Sequence, residues 1–172
     1  GDDPNMMGKQ REAFRRVIDD PDNNMNQLMM RVLKDTDTEV VKAMFENFFL
    51  NANFIGWQTQ EEMRKKYNCN IPWAILLDPT SACNLKCTGC WAADKLNLTF
   101  DEIDSIIMQG KELGVYFYIY TGGEPLVRKK DLIALCRKHH DCQFLTFTNG
   151  TLIDEEFADQ MLDVKNLVPA IS

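Results

Sequence analysis

Three cysteines lie close together in the sequence. Cys83, Cys87 and Cys90 form a Cx3Cx2C pattern directly after a short apolar segment. Cysteine thiolates are ligands for both zinc and iron. A structural zinc ion takes four protein ligands, and the common iron–sulfur clusters are also held by four. Because this loop supplies three thiolates and no obvious fourth, it predicts a metal centre with one coordination position left open.

The composition limits the class of protein. The 172-residue chain has a net charge of −7 and six cysteines. The acidic balance argues against a general nucleic-acid-binding surface, and the basic run 128–130 is expected to be the solvated start of a helix. No signal-peptide hydrophobic region precedes the cysteines, and no apolar run approaches the ~20 residues of a membrane helix. We therefore expect a cytoplasmic protein, in which clustered cysteines bind metal more often than they form disulfides.

Residues 1–70 are predicted to form a helical N-terminal extension. Apolar side chains recur at helical spacing in four stretches, at residues 9–19, 23–34, 38–50 and 60–66. The methionine and phenylalanine side chains in these stretches are expected to pack helix against helix. This part of the sequence does not indicate a function.

Strand and helix patterns alternate from residue 71 to residue 172. Strands are predicted at residues 74–77, 115–120, 144–147 and 167–171. The helices between them are predicted to begin at the capping box of Thr99, near Lys130 and at Asp154. This order predicts an α/β fold with parallel strands and right-handed crossovers. Ligand sites in such folds lie at the carboxyl ends of the strands.

The unusual residues of this sequence follow those strand ends. The cysteine loop comes after the first strand, and the segment 121–125, Thr-Gly-Gly-Glu-Pro, comes after the second. Asn149 lies in a predicted turn after the third strand, and Ser172 closes the fourth. We expect all four segments to lie on one rim of the sheet.

The cysteine loop and the Gly-Gly-Glu-Pro turn, about one βα unit apart, together resemble the radical S-adenosylmethionine (radical SAM) family. The resemblance implies the first three and a half βα units of a partial (β/α)6 TIM-like barrel. It also implies that the three thiolates hold a [4Fe–4S] cluster and that SAM fills the open iron position. The implied metal ligands are Cys83, Cys87 and Cys90. The predicted cofactor-binding residues are Thr121, Gly122, Gly123, Glu124, Pro125, Asn149 and Ser172; for Asn149 the contact could also be to substrate.

The same resemblance implies a reaction. A reduced cluster cleaves SAM to a 5′-deoxyadenosyl radical, which abstracts hydrogen from a substrate that the sequence does not identify. A low-potential electron donor such as a ferredoxin or flavodoxin is the implied partner. Because the family barrel needs about two more βα units, we expect a core truncated after residue 172. Such a fragment would carry the cofactor half-site and lack most of the substrate pocket.

Two points leave alternatives open. Many family members have an aromatic residue before the third cysteine, but this sequence has Gly89 there, which makes Trp91 a candidate for the adenine wall. The alternative function is a non-catalytic zinc- or metal-binding interaction module, in which a residue such as Cys69 supplies the fourth ligand. The Gly-Gly-Glu-Pro turn argues against that alternative, because a zinc site has no use for it.

The other notable side chains are predicted to be structural. Cys136 is expected on the buried side of a helix and Cys142 has no paired spacing, so neither suggests an auxiliary cluster. His139 and His140 end a helix, where imidazoles interact favourably with its dipole. Alternating side chains in residues 115–120 are expected to face the helices and the barrel interior in turn.

Overall fold

The computed structural model describes residues 8–90 and 97–172, without the side chains of residues 9 and 10. The described chain divides into two compact units, one ending at Val41 and the other beginning at Lys42. The first unit contains α1 (Gly8–Asp19), α2 (Asn24–Asp35) and the beginning of α3 (Thr38–Met44). No helix in either described stretch is long and apolar enough to cross a membrane.

The helical residues after Lys42 run without a break. A π-helical segment (Phe45–Ile55) follows α3 directly and continues into α4 (Gly56–Tyr67). The prediction of separate helices at 38–50 and 60–66 is therefore wrong in its boundaries. The physical reason is packing on the sheet. Asn47 donates from Nδ2 to the carbonyl oxygens of His140 and Cys142, at 2.8 and 3.1 Å, and Asn51 donates to that of Asp141 at 2.9 Å.

A close glycine contact fixes α4 against the same unit. A Cβ on Gly56 would lie 2.4 Å from the carbonyl oxygen of Gly114. A Cβ on Gly114 would likewise lie 2.4 Å from the carbonyl oxygen of Gly56. Gln60 then donates from Nε2 to that carbonyl at 2.8 Å. Residues 42–67 thus pack with the sheet unit through backbone contacts that larger side chains would prevent.

The sheet has four parallel strands in the order β1-β2-β3-β4, which confirms the predicted parallel α/β arrangement. The strands are β1 (Ala74–Thr80), β2 (Phe117–Gly122), β3 (Gln143–Thr148) and β4 (Leu167–Ile171). The helices between them are α5 (Phe100–Glu112), α6 (Lys129–Lys138) and α7 (Glu155–Val164). A short 3-10 turn (Pro125–Arg128) precedes α6. The Thr99 capping box forms as predicted, with Thr99 Oγ1 accepting from the Glu102 amide.

The two faces of the sheet differ in burial. Leu77, Tyr118, Tyr120 and Phe144 pack against the helices in one core. Tyr118 also donates its hydroxyl to the carbonyl oxygens of Ile107 and Val115, and burial raises its pKa. The opposite face of the sheet is more exposed, with Leu76 and Phe147 exposed on it, although Phe117 on the same face is buried against Phe48. This face carries one row in register across the strands, Leu76, Ile119, Leu145 and Val168.

Candidate metal and cofactor site

The cysteine loop leaves β1 at the carboxyl edge of the sheet. The thiols of Cys83, Cys87 and Cys90 are free and exposed. The Cys90 amide donates to the carbonyl oxygen of Cys87 at 3.2 Å, which closes a turn between the second and third cysteines. Gly89 occupies that turn with a φ of +79°, and nothing in residues 8–90 and 97–172 lies within 4 Å of a Cβ placed there. Glycine is present at this position because the turn needs the left-handed backbone.

The donor set fits an iron–sulfur cluster or another thiophilic metal. In residues 8–90 and 97–172, no three His, Cys, Asp or Glu side chains are already gathered around one metal position. The thiols are exposed, so a metal can draw them together without unpacking the core. Cys83 Sγ accepts a weak hydrogen bond from the Leu85 amide at 3.4 Å.

The Gly-Gly-Glu-Pro turn lies directly against the residues that lead into the cysteine loop. Gly123 donates its amide to the Thr80 carbonyl at 3.0 Å, and Glu124 donates its own to that of Ala82 at 2.8 Å. A Cβ on Gly123 would lie 2.2 Å from the Ala82 oxygen and 2.5 Å from that of Ser81. The close approach of the two loops therefore requires glycine at position 123.

Glu124 joins this turn to the end of β3. Its side chain is 1% exposed. The carboxylate accepts from Thr148 Oγ1 at 2.7 Å, from the Asn149 amide at 2.8 Å and from the Leu126 amide at 2.9 Å. A buried carboxylate with three donors is well satisfied, and it holds the β2 and β3 turns in one arrangement.

The remaining predicted cofactor-binding residues lie at the ends of β2 and β4. Thr121 is half-buried at the end of β2, and Pro125 is buried at the start of the 3-10 turn. Ser172 is exposed, and its amide donates to the Thr148 carbonyl at 3.1 Å. Trp91 lies outside the described residues. The structure therefore places the 121–125 turn, Asn149 and Ser172 on the same edge as the base of the cysteine loop.

A network of three polar side chains ties the cysteine loop to the β3 turn. Asn149 donates from Nδ2 to Asn84 Oδ1 at 3.0 Å, and Asn84 donates from Nδ2 to Thr151 Oγ1 at 2.8 Å. Thr151 donates its hydroxyl to Asn149 Oδ1 at 2.7 Å, which closes the ring. The sequence reasoning missed Asn84 and Thr151. The available signal was an amide next to Cys83 on the rim where a polar turn was also expected.

We expect the Asn84→Ala substitution to loosen the cysteine loop, because it removes both hydrogen bonds between that loop and the β3 turn. Hydrogen–deuterium exchange measured by mass spectrometry should show faster amide exchange in residues 83–90. Thr151→Ser is the matched control, since it keeps the hydroxyl, and its exchange should match that of the unsubstituted protein. Equal exchange in both variants would show that the network does not hold the loop.

The structure contradicts the predicted surroundings of Arg128. It is mostly buried, with 17% of its side chain exposed, and is not part of a solvated helix start. Its guanidinium donates to the Pro79 carbonyl at 2.7 Å and also to that of Leu98. Asp131 pairs with the same guanidinium at 2.7 Å. Arg128 therefore fastens the end of β1 to the start of α6, because its planar head can serve several acceptors at once.

The remaining cysteines and histidines lie outside the rim. Cys136 and Cys142 are buried, as expected for small apolar side chains, and burial raises the pKa of each thiol. Cys69 is exposed. His139 is buried and lies 2.8 Å from the Asp104 carboxylate through Nε2. These contacts connect helices and do not contribute to the rim.

His139 predicts a pH dependence of stability. Burial lowers its pKa, the nearby Lys111 acts in the same direction, and Asp104 and Asp141 oppose the shift. The unfolded chain therefore binds the proton more tightly than the folded state. The free energy of unfolding should then fall as pH drops below the ordinary histidine value of about 6.5. In denaturation at several pH values, His139→Gln should flatten this slope and the exposed His140→Gln should not; equal slopes would contradict the assignment.

The comparison with known families decides the class of protein. The sequence profile of the Radical SAM superfamily matches residues 77–172, more than half of the chain. The chain belongs to the Radical SAM superfamily. The family expected from the two motifs is thereby confirmed. Radical SAM relatives such as the GTP 3′,8-cyclase and the PqqA peptide cyclase are enzymes.

Several radical SAM relatives match this part of the chain. The PqqA peptide cyclase of Bradyrhizobium diazoefficiens is 33% identical over 100 residues, which cover 54% of this chain and 26% of that protein. The GTP 3′,8-cyclase of Petrotoga mobilis is 35% identical over 101 residues, covering 53% and 31%. The Fe-coproporphyrin III synthase of Methanosarcina barkeri is 33% identical over 97 residues, covering 52% and 24%. The matched region thus spans about a quarter to a third of each relative.

A solved radical SAM structure shares the fold. The crystal structure of Streptococcus suis SuiB bound to the precursor peptide SuiA superposes with a TM-score of 0.52 and 25% identity. The superposition covers 66% of this chain and 27% of SuiB. The zinc-module alternative is not favoured by these matches.

Proposed function

We propose that this chain is the cofactor-binding part of a radical SAM enzyme. Cys83, Cys87 and Cys90 would hold a [4Fe–4S] cluster, and the Gly122–Pro125 turn would line the position of SAM. The observation that carries the proposal is the contact between that turn and residues 80–82, which directly precede the first cysteine. This contact brings the two motifs of the family to one place on the rim.

The residues of the chain have separate tasks in this proposal. The three exposed thiolates supply the ligands and leave one iron without a protein ligand. Glu124 and the Asn84–Asn149–Thr151 network fix the three turns that surround the cluster position. When bound, the cluster and SAM supply a 5′-deoxyadenosyl radical by one-electron reductive cleavage, and that radical takes a hydrogen atom from the substrate.

We further propose that residues 71–172 are the first three and a half βα units of a partial (β/α)6 barrel, preceded by the helical residues 1–70. Four parallel strands in sequential order, with an open face that carries Leu76 and Phe147, support this arrangement. A low-potential ferredoxin or flavodoxin would deliver the electron. A reducing cytoplasm suits the three free thiols. The proposal names no substrate, because the matched relatives have different substrates in their names.

Anaerobic reconstitution tests the proposal. The protein is incubated with iron and sulfide, desalted, and analysed for metal and for its visible spectrum. We expect a brown protein with about four irons per chain, and formation of 5′-deoxyadenosine when SAM and dithionite are added. A colourless protein with one zinc ion, or an iron-loaded protein that leaves SAM intact, would contradict the proposal.

A further inference from the structure

A recess of about 490 Å³ lies next to the base of the cysteine loop. Asn84 lines it from the loop, and residues 126–131 line it from the 3-10 turn and the start of α6. Leu126 belongs to the core that packs against the helices. The recess therefore lies on the helix side of the rim, and the more exposed face of the sheet stays free for SAM and substrate.

Two lysines beside this recess carry charges that the described chain does not pair. Lys130 lines the recess and is exposed. Lys86 is exposed in the cysteine loop, two residues after Asn84. No described carboxylate forms an ion pair with either lysine. Both cations are therefore available to a partner.

The acidic side chains at the starts of α6 and α7 do not cancel these two charges. Asp131 is paired with Arg128 at 2.7 Å, and Asp154 is paired with Lys129 at 2.5 Å. The surroundings of the recess are thus positive, on a chain whose net charge is −7. An acidic protein is repelled by the chain as a whole and attracted here, so the charges orient its approach.

Two exposed apolar side chains accompany the two lysines. Leu85 is 42% exposed and directly precedes Lys86 in the loop, and Val127 is 41% exposed and lines the recess with Lys130. Apolar contacts with charges at their margin are typical of protein interfaces, and those of electron-transfer partners are small and weak. We call Leu85, Lys86, Val127 and Lys130 the docking surface.

We propose that the docking surface binds an acidic one-electron carrier protein. The proposal rests on the proposed function, in which the cluster must be reduced from outside the chain, and it adds the place and the charge of that contact. Leu85 and Lys86 lie between the first two cysteines of the loop. A carrier bound there touches the loop that would hold the cluster. The carrier is oxidised by one electron, the cluster is reduced by one electron, and no bond forms or breaks.

Charge-reversal variants test the docking surface through binding and through electron transfer. Lys130→Glu and Lys86→Glu reverse the two unpaired charges. Lys65→Glu is the matched control, because Lys65 is exposed on α4, which leads to the opposite end of β1 from the rim. The dissociation constant of each reconstituted protein for a purified acidic flavodoxin is measured by biolayer interferometry at about 20 mM and about 0.5 M salt. Stopped-flow absorbance gives the rate at which reduced flavodoxin reduces the cluster.

We expect Lys130→Glu and Lys86→Glu each to weaken flavodoxin binding about fivefold to tenfold at low salt, and to slow cluster reduction by flavodoxin in proportion. At high salt the difference should shrink to less than about twofold, because salt screens exposed charges. Iron content and complete reduction by excess dithionite should stay unchanged. Lys65→Glu should behave like the unsubstituted protein.

Several results would overturn the inference. Unchanged flavodoxin binding in both Lys130→Glu and Lys86→Glu is one, and an equal loss in Lys65→Glu is another. Equally tight binding of an acidic protein that has a similar net charge but no redox group would show a general anion-binding surface instead. Displacement of flavodoxin by inorganic phosphate, but not by chloride at the same ionic strength, would assign the recess to a small anion.

Failure of the proposed function is a different result. In that case the unsubstituted protein takes up no cluster, or leaves SAM intact even with dithionite, and both ideas fall. A protein that cleaves SAM with dithionite, and that binds flavodoxin equally well with and without the two substitutions, removes only the docking surface.

Discussion

The Cys87→Ala variant is expected to lose the cluster. The two cysteines that remain cannot hold a cluster that needs three thiolate ligands. The described part of the chain has no cysteine on the rim outside this loop that could take the place of Cys87. Iron content after anaerobic reconstitution should fall from about four per chain to a small fraction of that amount, and the brown colour should disappear. The fold should survive, because Cys87 is exposed and its side chain is not part of the core.

Cys69→Ala is the matched control for this experiment. Cys69 is also exposed and free, but it lies outside the loop. Its variant should take up as much iron as the unsubstituted protein. If Cys69→Ala lost the metal together with Cys87→Ala, the zinc-type site with Cys69 as fourth ligand would regain support. If Cys87→Ala kept its iron, the assignment of the three ligands would be wrong.

The Gly123→Ala variant is expected to separate the two loops of the rim. Its new methyl group would lie 2.2 Å from the carbonyl oxygen of Ala82, and that oxygen belongs to the backbone and cannot rotate away. The loops must move apart, which breaks the hydrogen bonds to Thr80 and Ala82. Overpacking of this kind costs about 1–3 kcal/mol. Chemical denaturation should show that loss, and reconstitution should show a cluster that a chelator removes faster.

Gly89→Ala distinguishes a steric effect from a general effect of replacing glycine. Gly89 lies in the cysteine loop, and no atom of the described residues lies within 4 Å of its added Cβ, so its positive φ is what opposes the change. We expect a smaller loss of stability than for Gly123→Ala. Equal losses would show that the close approach of residues 81 and 82 to Gly123 is not what makes this glycine necessary.

The sequence predicted the sheet well because its strands are short apolar runs bounded by polar turns. The predicted strand at 144–147 is observed as Gln143–Thr148, and 167–171 is observed as Leu167–Ile171. Parallel strands place all their carboxyl ends on one edge, so the common rim of the cysteine loop and the Gly-Gly-Glu-Pro turn followed from strand order alone.

The contacts within the rim could not be predicted in the same way. The ring of Asn84, Asn149 and Thr151 depends on the path of two loops, and local sequence does not determine that path. The burial of Arg128 depends on carbonyl groups 49 and 30 residues away in the chain. The hydrogen bonds that the Glu124 carboxylate accepts from Thr148 and Asn149 also come from tertiary contacts, which the sequence does not display.

The continuous helix from residue 38 to residue 67 shows a different limit. Its apolar side chains follow helical spacing at first, which predicted a helix over 38–50. The π-helical turns over Phe45–Ile55 and the uninterrupted start of α4 were not signalled by that pattern. In this segment Asn47 and Asn51 donate hydrogen bonds to carbonyl groups of the loop before β3. A pattern of apolar residues does not reveal such long-range hydrogen-bond acceptors.

The central claim is that three thiolates hold an iron–sulfur cluster with one iron free to bind SAM. Electron paramagnetic resonance of the anaerobically reconstituted and dithionite-reduced protein, recorded before and after SAM is added, tests it most directly. We predict the signal of a reduced [4Fe–4S] cluster that shifts on addition of SAM and does not shift with 5′-methylthioadenosine, which lacks the amino acid moiety. A protein that takes up zinc instead of iron, or a cluster signal that SAM leaves unchanged, would contradict the claim.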